Sequence, residues 1–210
     1  LGFTINYLSV DKDGFVNPDE LRSMINNNTL VVSIIMANNE IGTIQNMKEI
    51  SKICDQARTY LHVDAVQAIC HTEINLETLN VDLLSLSAHK FHGPKGIGLL
   101  YIKEGTHIAN LIHGGQQELK RRAGTENVPF IVGLTKALEI GISNIGQYKN
   151  RLNDYSKMFL DRLEKENINF IVNGPVIGEN RLPGNLNISF KDIDGLTLTY
   201  LLDKRKIYVS

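Results

Sequence analysis

An apolar run at residues 30–36, Leu-Val-Val-Ser-Ile-Ile-Met, restricts the fold of this chain more than any other feature of its sequence. Only Ser33 within it is polar, a pattern typical of a strand buried on both faces of a parallel sheet. Apolar residues then recur at helical spacing over 47–57, and a second strand is predicted over 60–63, directly before Asp64. A strand, a helix and a strand within so short a stretch predict a βαβ unit and an α/β fold.

Hydrophobic periodicity predicts further elements along the whole chain. The predicted strands are 81–88, 97–102, 169–173, 186–190 and 207–209, and the predicted helices are 19–28, 130–145, 147–166 and 194–203. The strands become shorter in the last part of the sequence. We therefore predict a three-layer α/β/α domain with a mostly parallel sheet over residues 1–140, and part of a small α+β domain over residues 141–210.

Composition and charge indicate no unusual partner for this chain. Hydrophobic residues make up 42% of the sequence, charged residues make up 21%, and the formal net charge is −1. These values predict neither a nucleic-acid nor a membrane partner. A cytoplasmic location is expected, because no signal peptide and no apolar run of bilayer length is found. The sequence opens with Leu1 rather than Met and stops after the strand-like run 206–209, so we expect a piece of a longer protein.

Polar side chains follow three of the predicted strands at the point where each strand ends. The first strand leads to Asn38-Asn39-Glu40, the second to Asp64 with Gln67, and the third to Ser87, His89 and Lys90. In a parallel sheet, ligands bind beyond the carboxyl ends of the strands. If all of these groups were core residues instead, each would need a buried hydrogen-bond partner. We therefore predict a ligand site at this edge of the sheet.

Lys90 is the candidate nucleophile of this site. Most lysines are solvated surface charges, but a lysine at the mouth of a partly apolar site can lose its proton and become a nucleophilic amine. Such an amine forms a Schiff base with an aldehyde, which is how proteins hold pyridoxal 5′-phosphate (PLP). Asp64 fits the same cofactor, because a carboxylate beside the pyridine nitrogen keeps that nitrogen protonated. One alternative stays open, in which Asp64 is the N-cap of a helix over 65–68.

Four more side chains could complete a PLP site. Ser87 and His89 alternate along the predicted third strand and so face the same side, where a hydroxyl and an imidazole together suit a phosphate group. Asn39 and Gln67 could donate hydrogen bonds to the phenolic oxygen of the ring. Taken alone, each of these amides is better explained as an ordinary surface residue.

No metal site is predicted, and neither cysteine is a candidate nucleophile. The histidines at positions 62, 71, 107 and 113 lack metal-ligand spacing and are predicted to be structural or surface residues. Cys54 lies on the apolar stripe of the 47–57 helix, and Cys70 follows the turn after the second strand. We expect both to be packed thiols rather than reactive ones.

Five sequence blocks occur in a fixed order along most of the chain. They are 38–42 (NNEIG), 62–67 (HVDAVQ), 87–90 (SAHK) with 93–98 (GPKGIG), 113–118 (HGGQQE) and 122–127 (RAGTEN). In order and spacing they resemble the signature blocks of cysteine desulfurases, which are class V aminotransferase-like enzymes of the fold type I PLP group. The block at 122–127 resembles the housekeeping or nitrogen-fixation branch of that family.

The resemblance implies a role for each candidate residue. It assigns Lys90 as the PLP lysine and, with His89, as catalytic; it pairs Asp64 with the ring nitrogen, Gln67 and Asn39 with the ring oxygen, and Ser87 and His89 with the phosphate. Thr125 matches a threonine that reaches the phosphate of the neighbouring subunit, which implies a homodimer. The implied reaction removes sulfur from L-cysteine and gives L-alanine and an enzyme persulfide, which passes to a sulfur acceptor or iron–sulfur scaffold protein.

Parts of the family pattern are not matched by this sequence. These are an upstream phosphate-binding threonine, a histidine that stacks on the PLP ring, a nucleophilic cysteine loop and a substrate-binding arginine; in addition, Leu119-Lys120 stands where Arg-Gly is more usual. We therefore expect this chain to bind PLP weakly or not at all and not to release sulfur by itself. Two alternatives stay open: another class V PLP enzyme, such as a selenocysteine lyase or an aminotransferase, or a catalytically inert dimerising fragment.

Overall fold

The computed structural model describes residues 2–210. Its strands are β1 (Val31–Ile35), β2 (Tyr60–Asp64), β3 (Leu83–Ser87), β4 (Gly98–Ile102), β5 (Phe170–Asn173) and β6 (Asn187–Phe190). Its helices are α1 (Pro18–Met24), α2 (Met47–Ala57), α3 (Gln117–Lys120), α4 (Val128–Ser143), α5 (Ile145–Lys165) and α6 (Gly195–Asp203). A 3₁₀ turn, Ala88–Phe91, directly follows β3.

The strands form two separate sheets. One sheet has the order β1-β2-β3-β4, in which β1, β2 and β3 run parallel and β4 runs antiparallel to β3. β5 and β6 form an antiparallel pair of their own. The predicted α/β fold with a mostly parallel sheet is therefore confirmed.

Alternate residues of β1, β2 and β3 bury one face of the four-stranded sheet. The buried residues are Val32, Ile34, Leu61, Val63, Leu84 and Leu86. α2 packs against β2 and adds Ile50 and Ile53 to the same core. Full burial of one such aliphatic side chain is worth about 1.5–3 kcal/mol relative to exposure. This core holds the strand ends, and the residues that follow them, in fixed positions.

Residues 145–203 contribute little to the core. α5 is 21 residues long but buries only Ser156, and α6 buries no residue. The connection between β5 and β6 is the exception, because Arg181 and Leu182 within it are buried. The predicted domain boundary after residue 140 falls inside α4 and stays a prediction.

Most predicted bounds shift by one or two residues, β1 buries one face rather than the two predicted, and three further differences have a physical reason. Residues 207–209 are not a strand, because no strand within residues 2–210 pairs with them. α1 ends at Met24 rather than at residue 28, because Ile25 adopts an extended backbone conformation. β3 ends at Ser87, one residue earlier than predicted, and the chain continues as the 3₁₀ turn.

α4 and α5 are separated by Asn144 and are bent by 66° relative to each other. Within residues 2–210, no single helix has both the length and the apolar composition needed to cross a membrane. These two helices, taken together as a bent pair, meet those two criteria.

Candidate functional site

The carboxyl ends of β1, β2 and β3 meet at one edge of the sheet. Asp64, the last residue of β2, lies in register with Ile35 of β1 and Ser85 of β3. The ladder continues beyond β1 and β2, because Met36 N–H donates to the Asp64 carbonyl and Ala65 N–H donates to the Ser85 carbonyl, both at 2.9 Å. The side chains that follow these strands therefore start from a common edge.

Asp64 is half-buried and closes a tight turn with one of its two oxygens. Its Oδ1 accepts a hydrogen bond from the backbone N–H of Val66 at 2.9 Å. The chain that follows, 65–71, forms turns, so the alternative of a helix N-cap at Asp64 is wrong. Among residues 2–210, no hydrogen bond is made to Asp64 Oδ2. This second oxygen can accept a hydrogen bond from a ligand.

Ser87 and His89 lie together at the end of β3. Ser87 Oγ and His89 Nδ1 are hydrogen-bonded at 2.9 Å. The predicted reason for their proximity, alternation along a strand, is wrong, because His89 belongs to the 3₁₀ turn. The turn is closed by His92, which has a φ of +66° and donates its backbone N–H to the Ala88 carbonyl. The 3₁₀ turn, rather than the strand, thus brings the His89 imidazole next to the Ser87 hydroxyl.

Lys90 lies on the same turn, with an exposed side chain. Within residues 2–210, it forms no ion pair or hydrogen bond that would occupy its amine. The backbone beneath it is fixed, because Ala88 and Phe91 are 0% and 3% exposed and belong to the core. α4 packs against this turn and holds it from the other side. Within residues 2–210, Lys90 therefore has an unpaired side-chain amine, and its backbone is held in place by buried neighbours.

The loop after β1 carries Asn39. Asn38 Oδ1 accepts hydrogen bonds from the backbone N–H groups of Glu40 (2.8 Å) and Ile41 (2.9 Å), which folds this loop tightly. The exposed Asn39 donates from Nδ2 to Glu40 Oε1 at 2.8 Å. Gln67 is half-buried in the turns after β2, and its side chain makes no hydrogen bond to another residue of 2–210.

The structure does not bring Thr125 to these residues. It is exposed on the segment between α3 and α4, and no hydrogen bond within residues 2–210 joins it to the other candidates. Just before it, Glu118, Leu119 and Lys120 have φ values of +48°, +55° and +67°. This left-handed conformation costs a residue other than glycine about 1–2 kcal/mol.

A polar network that sequence analysis did not predict crosses the open face of the sheet. His62 is hydrogen-bonded through Nδ1 to Ser33 Oγ (2.8 Å) and through Nε2 to Ser85 Oγ (3.2 Å). His62 and Asp64 are two residues apart on β2 and share this face. The network ties three strands together beside Asp64, which is a structural role of the kind predicted for His62.

Arg181 and Asn185 were also missed by sequence analysis. Arg181 is 2% exposed, and Asn185 donates hydrogen bonds to the loop that carries Asn39. The only sequence signal is an arginine inside the turn-rich stretch 180–185, Asn-Arg-Leu-Pro-Gly-Asn. The partners of Asn185 lie 146 and 145 positions away along the chain, and periodicity cannot reveal such contacts.

Both cysteines are buried free thiols. Burial, with the nearby Asp82 carboxylate acting in the same direction, raises the pKa of Cys54 to about 11. Burial also raises the pKa of Cys70. Because the thiolate is the nucleophilic form, a raised pKa makes a thiol less reactive at neutral pH. Neither cysteine has the environment of a catalytic nucleophile.

Two surface cavities lie elsewhere on the molecule. One, of about 920 Å³, lies between α5 and residues 184–186, and another, of about 840 Å³, is lined by residues of the 44–48 and 73–79 segments. No candidate site residue lines either cavity. Within residues 2–210, no group of three or more His, Cys, Asp or Glu side chains is arranged to hold a metal ion. The candidate site is the open edge of the sheet.

Comparison with known proteins bears directly on this site. The family model described as aminotransferase class-V matches residues 1–210. The chain belongs to the aminotransferase class-V family. The five sequence blocks had already suggested this family, and the match confirms that resemblance.

Two curated relatives of this chain are cysteine desulfurases named IscS. The chain is 48% identical over 210 residues to the protein of Dictyoglomus turgidum, and 49% identical over 209 residues to that of Methanosarcina thermophila. Each match covers all of this chain but only 53% and 51%, respectively, of the relative. The chain thus spans about half the length of the curated relatives it matches.

Solved structures agree with the fold. A NifS-like protein is 42% identical, with a TM-score of 0.94 over all of this chain and 57% of that protein. The NifS-like protein from Rickettsia africae is 31% identical, with a TM-score of 0.89 over 97% of this chain and 56% of that protein. The α/β fold with a mostly parallel four-stranded sheet is the fold of these NifS-like, fold type I structures.

Proposed function

We propose that this chain is the PLP-binding part of a cysteine desulfurase. The whole enzyme would remove sulfur from L-cysteine and give L-alanine and an enzyme persulfide. The observation that carries the proposal is the set of side chains at the carboxyl ends of β1, β2 and β3. The identity of 46–49% to cysteine desulfurases named IscS supports the choice of reaction.

The chemistry of these side chains fits PLP group by group. Lys90 offers an amine for the aldehyde, Asp64 a carboxylate oxygen for the ring nitrogen, Ser87 and His89 hydrogen bonds for the phosphate, and Asn39 and Gln67 amide donors for the ring oxygen. When bound, PLP supplies an electron sink for reactions at the α-carbon of an amino acid.

Lys90 has two tasks in this proposal. Its Nζ would hold the cofactor through the aldehyde carbon. Once the substrate amine has taken that place, the freed Lys90 amine would move a proton at the α-carbon of the substrate. Both tasks need an amine that is not already paired, and no residue of 2–210 forms an ion pair with Lys90. They also need a fixed backbone, which the buried Ala88 and Phe91 provide.

His89 and Asp64 orient the cofactor around that amine. His89 is held through Nδ1 by Ser87, so its Nε2 remains for a phosphate oxygen or a proton. Asp64 is held through Oδ1 by Val66, so Oδ2 remains for the ring nitrogen. In each case one polar atom fixes the side chain and the other is left for the ligand.

The proposal includes a homodimer. Thr125 is exposed and out of contact with the other candidate residues, as expected for a side chain that serves the site of a partner subunit. We further propose that the persulfide sulfur passes to an acceptor or iron–sulfur scaffold protein. Light scattering of the chain with and without PLP would test the dimer, which should be favoured by the cofactor.

An absorption titration with PLP tests the proposal. Because the chain spans about half the length of its relatives, we expect weak binding and would titrate to millimolar PLP. A band at roughly 390–420 nm is expected, as for PLP joined to a lysine. After the spectrum of free PLP is subtracted, Lys90→Ala should abolish the band, whereas the nearby exposed Lys95→Ala should keep it. A band of equal strength in Lys90→Ala would contradict the assignment of Lys90.

A sulfur-release assay tests the expectation that this chain alone does not release sulfur. With PLP and L-cysteine, we expect no alanine or sulfide from this chain alone, because Cys54 and Cys70 are both buried with raised pKa values. Alanine formation that depends on Lys90 would show that the reaction needs no other cysteine, and would overturn this expectation.

A further inference from the structure

The connection between β5 and β6 reaches back to the loop that carries Asn39. Asn185 Nδ2 donates to the backbone carbonyl oxygens of Asn39 (3.0 Å) and Glu40 (3.1 Å). Backbone hydrogen bonds run beside this contact, from Leu182 N–H to the Gly42 carbonyl (2.7 Å) and from Ile44 N–H to the Asn180 carbonyl (2.9 Å). A segment near residue 180 therefore fixes the backbone of a loop near residue 40.

Arg181 determines which way the Asn185 amide points. Its Nε donates to the Asn185 carbonyl (2.9 Å), and its NH2 group donates to Asn185 Oδ1 (3.2 Å). With Oδ1 held by the guanidinium, the Nδ2 donor must face the Asn39 loop. The other guanidinium nitrogen donates to the carbonyl oxygens of Asn173 (2.9 Å) and Pro175 (2.7 Å), which anchors Arg181 to the end of β5.

The guanidinium of Arg181 has only neutral partners in this contact. Burial lowers its pKa from the ordinary arginine value, yet arginine remains protonated in proteins. A buried cation without a carboxylate must be stabilised by carbonyl dipoles, and Arg181 has several within hydrogen-bond distance. These hydrogen bonds therefore hold the groups that contact the Arg181 guanidinium in fixed positions.

Two glycines permit the close approach of the two segments. Gly42 has a φ of +79°, and a Cβ there would lie 2.7 Å from Asn185 Oδ1. Gly174 has a φ of +83°, and a Cβ there would collide with the backbone carbonyl oxygen of Ile41. The missing side chains let the Gly42 backbone pack against the Asn185 side chain and the Gly174 backbone pack against the Ile41 carbonyl.

We propose that Asn185, oriented by Arg181, is a positioning residue for Asn39. It holds the backbone of residues 38–42 in the shape that keeps the Asn39 amide at the carboxyl end of β1. The inference rests on the proposed function in one respect, since Asn39 is the residue assigned to the ring oxygen of PLP. Loss of Asn185 would free the Asn39 carbonyl and leave the Glu40 carbonyl with only the longer hydrogen bond from Asn187 Nδ2 (3.3 Å), while the local turn made by Asn38 would remain.

Amide hydrogen exchange in the cofactor-free chain tests the positioning first. Asn185→Ala should make the amides of residues 38–44 exchange about tenfold faster, as expected for the loss of one or two net hydrogen bonds. Asn180→Ala is the matched control, because this neighbour contributes only its backbone carbonyl to the contact. Exchange in the control should stay as in the unmodified chain. Unchanged exchange in Asn185→Ala would overturn the proposal.

Asn185→Asp separates the positioning contact from folding of the segment. The carboxylate can still accept from Arg181 but cannot donate to the two carbonyl groups. We expect faster exchange at 38–44, with exchange at β5 and β6 unchanged. Protection at 38–44 equal to that of the unmodified chain would show that the amide donor is not needed, and would overturn the proposal even if Asn185→Ala failed to fold.

A PLP titration completes the test. Asn185→Ala and Asn185→Asp should each weaken apparent PLP affinity several-fold, while Asn180→Ala should not. Faster exchange with unchanged affinity would overturn the positioning of Asn39. If even the unmodified chain gave no Lys90-dependent signal, the proposed function would fail, and the exchange result would still decide whether Asn185 holds the loop.

Discussion

Residues 31–102 and residues 145–203 are held together in different ways. In the first region, α2 is 11 residues long and buries Met47, Ile50, Ser51, Ile53 and Cys54. In the second, α5 is almost twice as long and buries only Ser156. The first region also supplies the buried face of the four-stranded sheet, whereas β5 and β6 contain no buried residue.

The difference shows where stability and precision come from in each region. Hydrophobic burial stabilises the four-stranded sheet and holds the ends of its strands. The second region relies on specific polar contacts, of which the hydrogen bond from Arg181 to the Pro175 carbonyl is buried. The candidate site is formed on the first region, but its Asn39 loop is fixed from the second.

Truncation of a core side chain should have the largest effect. Ile50→Ala in α2 should lower the free energy of unfolding by about 2–4 kcal/mol, because Ile50 is 1% exposed and its removal leaves a cavity. Met158→Ala in α5 is the matched variant in the second region, where the side chain is 64% exposed, and should cost less than about 0.5 kcal/mol. Urea unfolding measures both, and equal losses would break the distinction between the regions.

A methyl group at the contact between the regions should have the next largest effect. Gly174→Ala should lower the free energy of unfolding by about 1–3 kcal/mol, since its φ is +83° and the new Cβ meets the Ile41 carbonyl. Gly146→Ala, inside α5 with open space around it, should instead stabilise by about 0.5–1 kcal/mol. A Gly174→Ala variant as stable as the unmodified chain would show that the two segments do not pack tightly.

Acid should loosen the start of α6, which is the smallest of these effects. Hydrogen bonds from Thr197 and Leu196 lower the pKa of Asp194, the N-cap of α6. A folded-state pKa below the unfolded value gives stability that is present above the ordinary pKa and is lost as the pH falls below about 4. The protection factors of the Leu196 and Thr197 amides, which correct for the pH dependence of intrinsic exchange, should therefore fall on acidification.

The matched control for that titration is Asp194→Asn. Asparagine also caps helices but does not titrate. The protection factors at the start of α6 should therefore no longer fall on acidification. An identical acid response in the two proteins would show that Asp194 does not cap α6 through its carboxylate.

Local patterns predicted the sheet region well. α2 was predicted over 47–57, as observed, because its apolar stripe faces the core and Asn46 caps it. The strand over 207–209 was wrong for a physical reason: an apolar run becomes a strand only when another strand pairs with it, and pairing is not encoded locally. The end of β3 was wrong by one residue, because sequence did not reveal the 3₁₀ turn.

The candidate site divides in the same way. Asp64, Ser87 and Lys90 could be placed from sequence, since they follow strands whose ends must meet at one edge. Asn185 and Arg181 could not, because their effect depends on hydrogen bonds to a loop about 140 residues away. Thr125 could be named only from the family resemblance, and its role stays a prediction.

The most direct test of the account is to trap PLP on the lysine that holds it. The chain would be incubated with PLP, reduced with borohydride to make the linkage permanent, digested, and mapped by mass spectrometry. The account predicts that Lys90 carries most of the label, well above the exposed Lys95 five positions away. Label on Lys90 no higher than on Lys95 would contradict the assignment of Lys90 as the cofactor lysine.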